Sequence, residues 1–200
     1  MKQNMRKRTP LAVLLALCLA MQLCVPAAMA SNRLMRAGDA AIAQIEEEEG
    51  FRAEKYSSGG KWYIGYGTEC GAEDYPEGIT REEAELLLMS KVEAYEAKLN
   101  DFFDRYDVTP TQGQFDALIC FSYNFGTGWM SGTSDLVKIA RGEKGATRLE
   151  VAHAFGEWCH SGGQAQAGLA DRRLQEAAIY LDDSTRAAEN EFAYLIINME

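Results

Sequence analysis

The chain has 200 residues, which suits one domain with a small appendage. Its 20 basic and 30 acidic residues give a formal net charge of −10 at pH 7. A chain this acidic is a poor binder of nucleic acid or anionic lipid, so we expect neither as a partner.

Residues 1–30 have the pattern of a secretory signal peptide. Four basic residues among the first eight precede an apolar run, and Ala28-Met29-Ala30 matches a cleavage site. The alternative is a retained membrane anchor, since residues 11–30 are almost long enough to span a bilayer. Gln22, Pro26 and the small residues at the end favour cleavage. We therefore expect a secreted protein that begins at Ser31 and has no stable association with the membrane.

A first helix is predicted over about residues 40–48, with Asp39 as its cap. Glu49 falls seven residues after Ile42 and so lies on the same helical face. Gly50 suits the position that follows a helix C-terminus. This pattern places a carboxylate at the end of a helix.

A β-hairpin is predicted over residues 56–68, with its turn at residues 57–60. It contains the run Gly65-Tyr66-Gly67-Thr68, which begins sixteen residues after Glu49. The pattern after this run does not fit a phosphate-binding loop.

Helices are predicted for the rest of the domain. Thr80 followed by Glu83 is a capping box that opens a long helix over residues 81–106. Thr109-Pro110 is predicted to begin the next helix, with proline at its first position, and Gly126 to end it. Further helices are expected at about residues 133–141, 147–158 and 169–181.

These elements predict an α+β domain within residues 31–183, with a small β-hairpin lobe and a mostly α-helical lobe. Residues 184–200 are predicted to be a polar linker and then a strand. That strand is either an edge strand or the start of a further module.

Three cysteines follow residue 30, namely Cys70, Cys120 and Cys159. An odd number does not fit a disulfide framework, and their spacing does not resemble a zinc site. We expect Cys120 to be a small buried side chain. His153 and His160 lack partners at metal or nucleophile spacing, and we interpret both as structural or surface residues.

Glu49 is the candidate for acid chemistry. Cleavage of a glycosidic bond requires a proton on the leaving oxygen, which a neutral carboxyl can supply. Nearby Glu46 and Glu48, the negative end of the helix and an apolar face all favour the neutral form. The alternative is that residues 46–49 are simply a solvated run of charge.

Three groups of residues resemble the phage-type lysozymes (glycoside hydrolase family 24). The first is Glu49-Gly50-Phe51, Tyr56 and Ile64-Gly65-Tyr66-Gly67-Thr68. The second is Gln114-Phe115-Asp116-Ala117-Leu118 and Phe121-Ser122-Tyr123-Asn124-Phe125-Gly126. The third is Trp158, Gly162-Gly163, Gly168-Leu169, Arg172-Arg173 and Glu176. Together they run over about residues 42–182.

The resemblance implies a lysozyme-like fold with a cleft between the two lobes. It implies cleavage of the β-1,4 bond between N-acetylmuramic acid and N-acetylglucosamine in peptidoglycan glycan strands. It also implies a monomer that needs no metal and no cofactor.

The resemblance also implies roles for particular residues. Glu49 takes the general acid position, Arg172 lies near an arginine that pairs with it, and Asn124 faces the cleft near sugar amides. The alternatives are a surface charge for Arg172 and a helix cap for Asn124. The ring of Tyr66, like those of Trp62 and Tyr63, either stacks on a sugar or packs within the hairpin.

Two positions depart from the family pattern. Ser58 stands where the family has an aspartate that holds the attacking water, and Tyr63 stands where it has a supporting threonine. Three interpretations remain: Ser58 positions a weakly activated water, a carboxylate from Glu69, Glu73 or Asp74 reaches the site, or Glu49 acts alone. Acting alone, as in lytic transglycosylases, Glu49 would use the 6-hydroxyl of the substrate as nucleophile. A non-catalytic wall-binding module is the remaining alternative.

Overall fold

The computed structural model describes residues 34–182, so the predictions for residues 1–30 and 184–200 lie outside the described part. Its helices are α1 (Asp39–Glu49), α2 (Arg81–Tyr106), α3 (Gln112–Phe125), α4 (Asp135–Ala140), α5 (Arg148–Gly156) and α6 (Ala167–Tyr180). Its strands are β1 (Arg52–Ser58), β2 (Lys61–Gly65), β3 (Thr68–Cys70), β4 (His160–Ser161) and β5 (Gln164–Ala165). A 3-10 turn, Gly128–Ser131, joins α3 to α4. The α+β prediction is confirmed.

The sheet of the small lobe is antiparallel, in the order β1-β2-β3. Its strands pair Tyr56 with Tyr63, Ser58 with Lys61, and Tyr63 with Glu69. Residues that lie directly opposite one another point to the same face, and side chains alternate along a strand. All five therefore share one face of the sheet. The predicted hairpin was right but lacked the third strand.

Buried polar side chains hold the segment that leads into α1. The backbone N–H of Ala37 donates to Glu96 Oε1 at 2.7 Å, and that of Gly38 donates to Asp116 Oδ1 at 2.9 Å. Gly38, not Asp39, is the N-cap, so the predicted cap was wrong. The carboxylate of Asp116, reaching across from α3, fixes where the helix starts. Burial raises the pKa of Asp116.

Capping explains where the two long helices begin. The capping box of Thr80 and Glu83 is present, as predicted. The next helix begins later than predicted, because Thr111 accepts a hydrogen bond from the N–H of Gln114 and forms a second capping box. Pro110 therefore lies before the cap and not at the first helical position.

Helix α3 is the centre of the helical lobe. Its residues from Phe115 to Tyr123 are all buried, which confirms the prediction of a buried central helix. It packs against α1, α2 and α6. The ring of Phe121 lies within 6 Å of those of Phe155 and Trp158, at 5.8 and 5.4 Å between centroids. These contacts pack α5 and the residues that follow it against α3.

The described part also shows the state of three cysteines and the character of its helices. Cys70, Cys120 and Cys159 are all free thiols, and Cys120 is buried as expected. None of the helices within residues 34–182 is long and apolar enough to cross a membrane.

Candidate active site

Glu49 is the last residue of α1, and its side chain is 20% exposed. Arg172 on α6 donates from Nη2 to Glu49 Oε1 at 2.6 Å. The other oxygen, Oε2, faces Gly67, where an added Cβ would lie only 3.0 Å away. Gly67 also has a φ of +73°, which suits glycine. The carboxyl is therefore enclosed by an arginine on one side and a glycine on the other.

Arg172 is shared among several carboxylates. Its Nε lies 3.9 Å from Glu48 Oε2 and 4.0 Å from Glu176 Oε1. Glu47, by contrast, is exposed. The run of glutamates is thus not a uniformly solvated face, because its last two members turn toward Arg172.

Arg173, the next residue, is fully buried. It donates to Glu176 through Nε at 2.7 Å and through Nη2 at 2.5 Å. Its guanidinium lies 4.9 and 4.7 Å from the ring centroids of Phe121 and Phe125. Burial raises the pKa of Glu176 to about 7, against the opposing charge of Arg173.

Asn124, near the end of α3, is exposed. Arg173 Nη1 donates to Asn124 Oδ1 at 3.2 Å, so the buried arginine orients the exposed amide. This contact occupies Oδ1 and leaves the NH₂ group of Asn124 available as a donor.

A cavity of about 420 Å³ opens between the β-sheet and helix α2. Gly67, which faces Glu49 Oε2, is part of its wall, whereas Glu49 itself is not among the lining residues. The lining residues are Tyr63, Gly67, Thr68, Glu69, Leu87, Ser90, Lys91 and Tyr95.

Lys91 is a half-buried cation in this cavity. Its Nζ lies 3.8 Å from the ring centroid of Tyr123 and donates to the carbonyl of Gly67 at 3.4 Å. Burial lowers the pKa of Lys91, while the charges of Glu49 and Glu69 act in the opposite direction. Sequence reasoning missed this residue. The visible signal was its spacing, because Lys91 lies four residues from each of two residues on the apolar face of α2.

Tyr66 is not placed to bind substrate. It is 1% exposed, its hydroxyl accepts from Arg81 Nη1 at 2.7 Å, and its carbonyl accepts from the hydroxyl of Tyr123 at 2.7 Å. Its ring packs against Phe51. We therefore correct the sugar-contact prediction for Tyr66, because the ring has no exposed face.

The two departures from the family pattern lie on the cavity side of the sheet. Ser58 is exposed at the end of β1, opposite Lys61. Tyr63 lines the cavity and stacks on Tyr56 with centroids 5.7 Å apart. Glu69, directly opposite Tyr63, pairs with Lys61 through a contact of 2.8 Å.

The other two acidic candidates lie in the loop between β3 and α2. Asp74 Oδ2 accepts from the N–H of Gly71 at 2.7 Å and so stabilises that loop, while Glu73 is exposed. Neither is among the residues that line the cavity. Across residues 34–182, no group of three or more histidine, cysteine or acidic side chains could hold a metal ion.

Comparison with known proteins gives consistent matches. The family model "Phage lysozyme" matches residues 46–176. The endolysin of Bacillus phage B103 is 33% identical over 165 residues, which cover 78% of this chain and 58% of the relative. The endolysin of Bacillus phage PZA is 36% identical over 150 residues, 73% of this chain and 55% of the relative. The chain thus spans little more than half the length of these curated relatives.

The fold matches as well. The solved endolysin from Escherichia coli O157:H7 phage FAHEc1 is similar with a TM-score of 0.61 and 31% identity, over 74% of this chain and 94% of that chain. The matched residues 46–176 include Glu49, Gly67 and Arg172. In the site described above, the Glu49 carboxyl contacts the Arg172 side chain and faces Gly67. This chain belongs to the phage lysozyme family.

Proposed function

We propose that the protein is a muramidase that cleaves the β-1,4 bond between N-acetylmuramic acid and N-acetylglucosamine in peptidoglycan. Glu49 is the general acid. The observation that carries this proposal is the position of its carboxyl, which Arg172 holds on one side and which faces Gly67, a wall residue of a cavity of about 420 Å³, on the other. Membership of the phage lysozyme family supports the same substrate class.

The two oxygens of Glu49 have different surroundings, and this suits an acid. Oε1 accepts from Arg172, whereas Oε2 faces Gly67 at the cavity wall. A protonated carboxyl keeps acceptor capacity on one oxygen while the other carries the proton. We assign the transferred proton to Oε2, from which it reaches the leaving glycosidic oxygen.

The cleft offers further groups for glycan strands. The NH₂ group of Asn124 can donate to an acetamido carbonyl, and the face of Tyr63 can pack against a sugar. With a signal peptide at residues 1–30, the enzyme acts as a monomer outside the cytoplasm, at the cell wall. The acidic chain relies on these groove contacts and not on long-range attraction to an anionic wall.

The test compares two charge-neutralising substitutions on the same helix. Purified wild-type protein should clear a suspension of peptidoglycan, and Glu49→Gln should reduce the rate by at least about 100-fold, since acid catalysis contributes roughly 10²–10⁴. Glu47→Gln, at an exposed position, is the matched control and should clear like the wild type. Equal clearing by Glu49→Gln would show that Glu49 is not the acid.

Two other functions are favoured by one observation, the exposed serine at position 58 in place of a carboxylate. A non-catalytic wall-binding module would sediment with peptidoglycan but release nothing. A lytic transglycosylase would release fragments that end in 1,6-anhydromuramic acid. Cosedimentation and mass spectrometry of released fragments distinguish both from the proposed hydrolase.

A further inference from the structure

Inverting hydrolysis requires a second carboxylate to activate water, and Ser58 cannot supply one. We propose that Glu69 is this second catalytic carboxylate. The inference rests on the proposed muramidase function and names the residue that completes it.

The sheet register brings Glu69 to the correct face. Tyr63 lies opposite Tyr56 on one side and opposite Glu69 on the other. Ser58, two residues after Tyr56, points to that same face because side chains alternate along a strand. Glu69 is thus on the face where the family pattern places its water-binding aspartate, but on β3 instead of β1.

Gly67 links the position of Glu69 to that of Glu49. Glu49 Oε2 lies 3.0 Å from the position that a Cβ on Gly67 would occupy. Glu69 follows Gly67 by two residues, and both residues line the cavity. The charges of Glu49 and Glu69 both act on Lys91, which lines the same cavity. Inverting glycosidases use two carboxyl groups that flank the scissile bond with a water molecule between them.

The surroundings of Glu69 hold it in place and keep it accessible. Lys61 Nζ contacts Glu69 Oε2 at 2.8 Å, and this pairing raises the pKa of Lys61. The contact engages one carboxylate oxygen and leaves the other to accept a proton from water. Glu69 lines the cavity, together with Gly67 and Lys91, whereas Glu73 and Asp74 do not.

Glu49 and Glu69 act on opposite sides of the scissile bond. Glu49 transfers its proton to the glycosidic oxygen as the bond between that oxygen and C1 breaks. A water oxygen bonds to C1 from the opposite side, and one water proton passes to Glu69. Glu69 then loses that proton to solvent, and Glu49 takes one from solvent. The net change is consumption of one water, with inversion at C1.

The first arm of the experiment uses matched amide substitutions in the full-length protein. Glu69→Gln should reduce the rate of reducing-end release by at least about 100-fold, as expected for loss of a general base. Cosedimentation with peptidoglycan should stay at the wild-type level. Glu73→Gln makes the same chemical change in the neighbouring loop and should retain wild-type activity.

The second arm uses azide, a nucleophile that needs no base. In Glu69→Ala, added sodium azide should restore bond cleavage and give a glycosyl azide, detected by mass spectrometry, whose inverted configuration at C1 is read by NMR. Glu49→Gln should not be rescued, because the leaving oxygen still lacks its proton. A purely structural role for Glu69 would not produce this azide adduct.

Several results overturn the proposal. Wild-type activity in Glu69→Gln would exclude Glu69, and a loss confined to Ser58→Ala would place the activated water at Ser58. Fragments with 1,6-anhydro ends would show that no water-activating base is used. If the wild type itself releases nothing, the proposed function fails, and the role of Glu69 fails with it. If the wild type is active and Glu69→Gln keeps that activity, only the proposed role of Glu69 is refuted.

Discussion

Arg172 and Glu49 are separated by 123 residues in the sequence and meet through a contact of 2.6 Å between Nη2 and Oε1. The contact joins the end of α1 to α6, and both helices pack against α3. The position of the Glu49 carboxyl therefore depends on how the helical lobe is packed as well as on its own helix.

Replacing Arg172 should uncouple the acid from this support. Arg172→Lys keeps the charge but loses the planar fork of donors that reaches several carboxylates. We expect a loss of about 10-fold to 100-fold in clearing rate, as for small misplacements of catalytic groups. Stability should fall by about 1–3 kcal/mol, because partly buried acceptors lose their donor.

Clearing assays and urea denaturation measure these two effects. Arg105→Lys, at an exposed position, is the matched control and should leave both unchanged. Wild-type activity in Arg172→Lys would mean that the contact with Glu49 does not orient the acid.

Gly67→Ala tests the glycine that faces the Glu49 carboxyl. The new Cβ would lie 3.0 Å from Glu49 Oε2, so we expect the carboxyl to be displaced and activity to fall. Gly142→Ala is the control, since its φ of +69° imposes similar strain while its Cβ meets only Val108 Cγ2, at 3.4 Å. Both should lose roughly 1–2 kcal/mol of stability. Equal activities of the two variants would contradict the assignment.

Arg173→Met should be among the most destabilising substitutions in the domain. It leaves the buried Glu176 carboxylate without its partner, a change that costs about 3–5 kcal/mol in comparable pairs. The double variant Arg173→Met/Glu176→Leu removes both charges and should recover much of that stability. Urea denaturation measures both proteins. A single variant as stable as the wild type would show that the pair contributes little.

The loss in Arg173→Met should depend on pH. Burial raises the pKa of Glu176 to about 7 from an ordinary value of 4.5, and removal of Arg173 removes an opposing charge. A carboxyl with a raised folded-state pKa contributes stability that is present below its ordinary pKa and lost as pH rises. The variant should therefore be closer to wild type at pH 5 than at pH 8. The opposite trend would contradict a buried carboxylate that has lost its main partner, since only the more distant Arg172 remains.

Local signals were sufficient to predict much of the fold. The capping box at Thr80 and the apolar spacing of α3 depend on neighbours a few residues away, and both predictions were confirmed. Where local signals compete, the prediction failed. Thr111 starts α3 in place of Thr109-Pro110, because its side chain can cap the N–H of Gln114.

The candidate site could be predicted only in part. Glu49 stands out through its spacing from the hairpin, but its contacts with Arg172 and Gly67 depend on chain folding. Tyr66 is buried because Arg81 and Phe51 cover it, which no hairpin pattern reveals. The short β4–β5 hairpin was not predicted, since two-residue strands carry almost no pattern of their own.

The most direct test of a Glu49-dependent muramidase is mass spectrometry of the fragments that the purified protein releases from peptidoglycan. The wild type should release fragments with reducing N-acetylmuramic acid ends, and Glu49→Gln should release none. Fragments with 1,6-anhydro ends, or the same products from Glu49→Gln, would contradict the proposed reaction.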